Sequence, residues 1–171
     1  MFPGRDGWFM NRVNKVAELL EMLQRTCDTG FVLALHVRFT RPLVLYRTYP
    51  QSWCDHYDLN GLVMLDPAVR WSFCNTGVIQ WDDPSLDDPG GVVEAARAHG
   101  VANGVSVSVG SATSRSLGGF SRSSGRFDAA DMDRLSDLVE TLHLVLDGVS
   151  EDEQGPELRA LRALSTSVLQ P

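Results

Sequence analysis

The chain predicts an α+β domain in which an antiparallel sheet is covered by helices on both faces. Three observations lead there. Strongly amphipathic helical stretches lie towards the two ends, at residues 11–25 and 128–146. Two pairs of strand-like segments lie between them, each pair joined by a short turn. A middle region with short helical stretches and a Pro/Gly-rich loop separates the pairs. The order helix–strand–strand–helices–strand–strand–helix suits a layered α+β architecture.

Each element has its own reason. From Asn11 to Arg25, Val13, Val16, Leu20 and Leu23 recur at helical spacing, with Lys15, Glu18 and Glu21 between them. That makes one apolar face, and Gly30 is a suitable terminator beyond it. Phe31–Phe39 and Pro42–Tyr49 read as two strands joined across Thr40-Arg41-Pro42. Pro50 favours a helix start, because its missing N–H costs least there, and the helix is expected to run to Tyr57. Asp82–Gly91 is a polar loop, and Val92–His99 a short helix ending at Gly100. Val105–Val109 alternates Val and Ser with period two, and Leu117–Arg122 is its expected partner, with Ser111–Arg115 as the turn. Asp128 can cap the last long helix, Asp131 and Asp133 suit the positive end of its dipole, and Gly148 can end it. Met132, Leu135, Leu138, Val139, Leu142, Val145 and Leu146 form its stripe. Ser150–Pro156 reads as an acidic linker, followed by a short helix over Glu157–Leu169.

Composition narrows the function classes. The 171 residues are 43% hydrophobic and 22% charged, ordinary for a globular protein. No apolar run approaches the roughly 20 residues a membrane helix needs, and the first residues lack the basic start and apolar core of a signal peptide. Cys27, Cys54 and Cys74 show no C-x-x-C spacing, so reduced thiols in a cytoplasm are expected. From Asp128 onward ten acidic residues face three basic ones. Phosphate backbones require clustered Lys and Arg, so direct nucleic-acid binding is not expected. His36, His56, His99 and His143 follow no H-x3-H or H-E-x2-H pattern, and there is no G-x-S-x-G elbow. Neither a resident metal, a cofactor nor an enzymatic activity is therefore expected.

The chemically loaded segment is Tyr49-Pro50-Gln51-Ser52-Trp53-Cys54-Asp55-His56-Tyr57, followed by Asp66-Pro67 and by Trp81, in a chain only 8% aromatic. Aromatic rings make flat apolar walls with polar tips, and a carboxylate among them can accept a hydrogen bond from a buried amide. The spacing of Tyr49, Trp53, Tyr57 and Asp66-Pro67 resembles the signal-binding domain of the LuxR family of quorum-sensing receptors. Glu94-Ala95 leading to Gly100-Val101-Ala102-Asn103-Gly104 and Leu117-Gly118-Gly119-Phe120-Ser121 add to the likeness, which covers Phe31 to Gly148.

The resemblance implies an α-β-α sandwich around a five-stranded antiparallel, PAS/GAF-like sheet, with an N-acyl-homoserine lactone as ligand. It implies that Asp66 accepts from the ligand amide, Trp53 donates to the lactone carbonyl, Tyr49 and Ser121 hold the acyl oxygen, and Tyr57 and Trp81 enclose the ring. Leu35, Val37, Val69, Val101 and Leu117 are the candidates for the acyl slot. Residues 1–148 are expected as the autoinducer-binding domain and 149–171 as linker and short helix. Without the usual helix-turn-helix pattern, the expected role is signal sequestration or regulation as a homodimer or a heterodimer with a full-length LuxR-type regulator. Departures from the family pattern at Ala68 and Val78 motivate one alternative, a ligand-free interaction module; the missing helix-turn-helix pattern motivates another, the isolated ligand-binding part of a transcriptional regulator.

Overall fold

The computed structural model describes residues 5–169. Its frame is set by the alternation in β1 (Gly30–Val37), where Phe31, Leu33 and Leu35 are fully buried on one face and Val32 and Ala34 half-buried on the other. In β2 (Val44–Arg47) the same period sends Val44 and Tyr46 inward and leaves Leu45 and Arg47 exposed. Successive side chains on a strand point to opposite faces, so the sheet has two chemically distinct sides.

The first side is covered by α1 (Arg5–Thr26), α5 (Ala129–Val145) and α6 (Pro156–Ser167). Val16, Leu19, Leu20 and Leu23 of α1 meet Leu135, Val139 and Leu142 of α5 and Leu158 and Leu161 of α6 over Phe31, Leu33 and Phe120. Asp128 caps α5, its carboxylate accepting the Asp131 N–H at 2.8 Å. The Tyr46 hydroxyl donates to the Leu161 carbonyl at 2.8 Å, tying α6 to the edge strand. The second side carries α2 (Gln51–Leu59), a short 3-10 turn at Leu62–Met64, α3 (Pro67–Cys74) and α4 (Val92–Ala98). Here α3 packs on the sheet, while α2 and α4 stand further off it. Among the described residues, no helix is long and apolar enough to cross a membrane.

The sheet is five-stranded and antiparallel, in the order β2-β1-β5-β4-β3, with β3 at Gly77–Gln80, β4 at Gly104–Ser111 and β5 at Ser114–Ser121. The residue pattern picks out four of these strands. The edge strand β3 reads Gly-Val-Ile-Gln, which shows no alternation, and α3 is a further element the pattern does not resolve. The expected turn at Ser111–Arg115 is tighter than anticipated: Gly110 pairs with Arg115 and Ser111 with Ser114, leaving only Ala112 and Thr113 unpaired. Helix ends shift as well, α1 beginning at Arg5, α2 ending at Leu59 and α6 ending at Ser167.

One irregularity matters for the site. His36 has φ 50°, and the β1–β5 register shifts between Ala34 and Val37. An extra residue in one strand reverses the in/out parity beyond it. Leu35 therefore stays in the helical core of the first side, and Val37 turns to the second.

Candidate functional site

The gap between α2–α4 and the sheet is a cavity of about 380 Å³, within the range of small-molecule sites. Tyr49, Trp53 and Tyr57 recur every fourth residue and so fall on one side of α2 and the turn leading into it. Trp53 is buried and meets Tyr57 edge-to-face, ring centres 5.4 Å apart. Pro50 precedes the helix, and its carbonyl accepts the Trp53 and Cys54 N–H groups. The neighbouring Cys54 thiol is pushed up by burial and rests 3.6 Å from the Tyr49 carbonyl, which keeps it protonated and inert.

Asp66 has two duties. Its Oδ1 caps α3, accepting from the Ala68 N–H at 2.9 Å and the Val69 N–H at 3.2 Å. Its Oδ2 accepts from the Tyr57 hydroxyl at 3.0 Å. Burial raises its pKa, opposed by these three hydrogen bonds. Burial, and then the same carboxylate, push the Tyr57 hydroxyl up, so it stays a donor. Asp66 lines the cavity with lone-pair capacity to spare. The Tyr49 hydroxyl also faces this region, is fully buried, and has no hydrogen-bond partner among the described residues. Such an orphan costs about 1–3 kcal/mol unless something else satisfies it.

Trp81 forms the opposite wall. Its ring lies on the sheet because Gly104 and Gly119 leave room: a methyl group at Gly104 would sit 2.0 Å from the ring, and one at Gly119 would sit 3.2 Å from it. Its indole N–H donates to Ser106 Oγ at 2.9 Å. The apolar end is lined by Val37, Val69 and Leu117 together with Val32, Ala34, Leu45, Val63 and Phe73. At the mouth Arg47 on β2 makes a two-pronged pair with Asp58 on α2, both bonds 2.9 Å. Leu45, Val63 and Phe73 are partly exposed around the same opening.

Among the expected site residues, Tyr49, Trp53, Tyr57, Asp66, Trp81, Val37, Val69 and Leu117 line this one cavity. Three do not. Leu35 points into the helical core, for the parity reason above. Ser121 sits beyond the cavity at the end of β5, paired with Thr29 Oγ1 at 2.7 Å and donating to the Gly30 carbonyl at 3.2 Å. Val101 is buried behind Trp53 with Val92 and Ala96, and borders a separate small depression instead. Ser106, Gly104 and Gly119 lie in segments the sequence singles out, but nothing in the sequence marks them as site residues. The Val/Ser alternation of Val105–Val109 already placed Ser106 on the face opposite the valines.

The histidines are scattered in sequence but paired in space. His36 and His143 stack at 4.1 Å, each also bonded to a β5 serine: His36 Nδ1 lies 2.8 Å from Ser114 Oγ, and His143 Nδ1 2.7 Å from Ser116 Oγ. His56 and His99 meet at 5.0 Å beside Trp53. The first pair joins the β1 bulge to α5, and the second closes the outer side of the Trp53 wall.

Residues 17–149 match the family model of the autoinducer binding domain. The chain belongs to this autoinducer-binding family. It is 36% identical over 70 residues to Regulatory protein SdiA of Escherichia coli (strain K12), 40% of this chain and 29% of that protein. It is 38% identical over 63 residues to Transcriptional activator protein VanR of Vibrio anguillarum, 36% of this chain and 26% of that protein. Each match thus spans less than a third of a curated relative. A crystal structure of Escherichia coli SdiA superposes with TM-score 0.59 at 25% identity, covering 93% of this chain and 64% of that one. SdiA in complex with octanoyl-rac-glycerol superposes with TM-score 0.60 at 22% identity, covering 100% and 71%. The superpositions show that this chain shares the SdiA fold, and the matched relatives are a regulatory protein and a transcriptional activator.

Proposed function

We propose that this chain binds an N-acyl-homoserine lactone in the cavity between α2–α4 and the sheet, as the sensing domain of a quorum-sensing transcriptional regulator. The observation that carries the reading is the polar set of Asp66, Tyr57 and the unpartnered Tyr49 hydroxyl inside a largely apolar cavity. A lactone head group offers one amide donor and two carbonyl acceptors. In this reading Asp66 Oδ2 takes the amide N–H, the Tyr49 hydroxyl the acyl carbonyl and the Trp53 indole N–H the lactone carbonyl, while Tyr57 and Trp81 flank the ring. Each pairing removes a desolvation penalty of about 1–3 kcal/mol. Val37, Val69 and Leu117 line the acyl slot, where burial returns about 0.8 kcal/mol per methylene. Ser121, held by Thr29 and Gly30, leaves the acyl oxygen to Tyr49.

The structure of SdiA in complex with octanoyl-rac-glycerol holds an acyl ligand in that protein, which supports an apolar slot for an acyl chain here. The regulator is proposed to act as a pair, with a second copy or with a related LuxR-type chain. The test is titration calorimetry of the folded protein with homoserine lactones of about four to fourteen acyl carbons. Saturable heat with at least one is expected; none with any of them overturns the reading. Sedimentation with and without the tightest lactone tests the pairing.

A further inference from the structure

Most of the large apolar side chains that the described residues leave exposed lie around the mouth of the cavity. Leu45 on β2, Val63 in the 3-10 turn and Phe73 on α3 line it and are each about half exposed. Leu59, at the end of α2, and Met64, next to Val63, do not line the cavity and stand 86% and 79% exposed. Phe39 lies at the tip of the hairpin whose Thr40 and Pro42 line the cavity, and it is fully exposed. Its φ of 57° is one that a bulky residue rarely adopts, held by mutual backbone bonds of 3.0 Å and 3.1 Å between Arg38 and Arg41. These six side chains form an apolar collar.

Their size and their charged border say what covers them. Together they leave on the order of 800 Å² in water, above the roughly 300–600 Å² of a typical monomer's largest apolar patch and equal to the about 800 Å² that each partner brings to a standard interface. The border carries both signs side by side: Arg47 is paired with Asp58, and Arg70 is held against the Asp87 carbonyl. A two-fold axis brings such a face onto itself with acid able to meet base, whereas an anionic bilayer calls for clustered bases alone. We infer that a second copy of this chain seats on the collar, so that each protomer closes the apolar end of the other's cavity. The inference rests on the pairing proposed above, not on the identity of the ligand. It gives that pairing a surface and a consequence for the site: the cavity exchanges with solvent through this mouth only when the two copies separate.

The experiment is sedimentation equilibrium of the ligand-free parent, Phe39→Asp, Met64→Asp and Leu144→Asp, each with a melting curve to confirm folding. Leu144 is an exposed leucine on α5, across the sheet from the collar. The parent and Leu144→Asp are expected to dimerise alike. Burying an unpaired carboxylate is costly, so the two collar variants should dimerise about a hundredfold more weakly. Closure is read from Cys54, which lines the cavity, as its rate of modification by methyl methanethiosulfonate, followed by peptide mass spectrometry. At a concentration where the parent is dimeric, the rate should be at least about tenfold lower in the parent than in Met64→Asp, because excluding the reagent requires a dry, covered mouth. A parent that stays monomeric overturns the inference. So does a dimer that survives both collar substitutions or is lost in Leu144→Asp, either of which puts the pairing on another face. Equal Cys54 modification in dimeric parent and monomeric Met64→Asp would overturn the closure. Binding of a monomeric parent to phosphatidylcholine vesicles, lost in Met64→Asp, would assign the collar to a lipid surface instead. A failed lactone titration brings down the lactone reading and leaves each of these outcomes unaltered.

Discussion

Replacing Asp66 by Asn separates the two duties of that residue. In the ligand-free protein one carboxylate oxygen caps α3 and the other accepts from Tyr57. Asn keeps a side-chain oxygen for the cap, where it ranks with Asp. Its amide nitrogen then faces the Tyr57 hydroxyl, which can rotate and accept. The substitution also removes a carboxylate whose pKa burial has raised. With a raised folded-state pKa, stability falls as pH rises through the window above the ordinary carboxylate value, so at neutral pH the ionised Asp66 costs stability that Asn does not. Ligand-free stability should thus change by less than about 1 kcal/mol. Binding should suffer far more, because the proposed amide N–H now meets a donor. A charge-assisted hydrogen bond of about 1.5–3 kcal/mol is lost, about tenfold to a hundredfold in affinity. Asp66→Ala removes the cap as well, at about 0.5–2 kcal/mol, and should lower the melting temperature by a few degrees. The assay is calorimetry with N-octanoyl-homoserine lactone beside ligand-free melting for both variants. Unchanged affinity in Asp66→Asn, at unchanged melting, would refute the assignment of Asp66 to the ligand.

Gly104→Ala should displace the Trp81 ring, because the new methyl would lie 2.0 Å from it. Overpacking of about 1–3 kcal/mol and at least tenfold weaker lactone binding are expected, with a shift in tryptophan fluorescence; unchanged fluorescence would refute it. Arg47→Ala opens the pair with Asp58 at the cavity mouth. Exposed pairs contribute at most about 1 kcal/mol, so melting should barely move while lactone dissociation, followed by stopped flow, becomes faster. His143 is pushed below the ordinary histidine value by burial and by His36, with Asp147 and Glu140 opposing. A depressed histidine contributes stability that is fully present above about pH 6.5 and lost as pH falls through the depressed value. Melting should therefore drop between pH 7 and pH 5, and more steeply than in His143→Asn; parallel curves would refute the assignment.

What the amino-acid pattern reveals follows length and period. The long helices α1 and α5 carry enough turns for their stripes to stand out, and their buried residues are those the spacing selects, from Val16 to Leu23 and from Leu135 to Leu142. The Val/Ser alternation of β4 gives its two faces as well. By contrast, β3 is an edge strand of four residues, held by pairing of Gly77–Gln80 with Val105–Ser108. Its partners are supplied by residues far along the chain, so nothing local announces it. The helix α3 is only eight residues long, and its signature is the Asp66-Pro67 start, an N-cap followed by a proline. The same Asp66 carboxylate that faces the cavity also caps this helix.

The cavity residues show a second limit, one of parity. Along β1 the residues facing the cavity are Val32 and Ala34, and after the bulge Val37, with no regular step between them. Leu35 and Val37 lie two apart, so an unbroken strand would have put both on one face, and the notion of a shared acyl slot was reasonable for it. The positive φ at His36 breaks that step, and a histidine is not the residue a turn or bulge usually advertises. What holds it there is tertiary: its backbone N–H donates to Ser116 Oγ at 2.9 Å, and its ring stacks on His143 of α5. The bulge therefore couples the two sides of the sheet. One side supplies the contacts that fix His36, and the other receives Val37 at the apolar end of the cavity. A change at His143 should consequently reach the apolar end of the cavity through the backbone of β1, although His143 does not itself line the cavity.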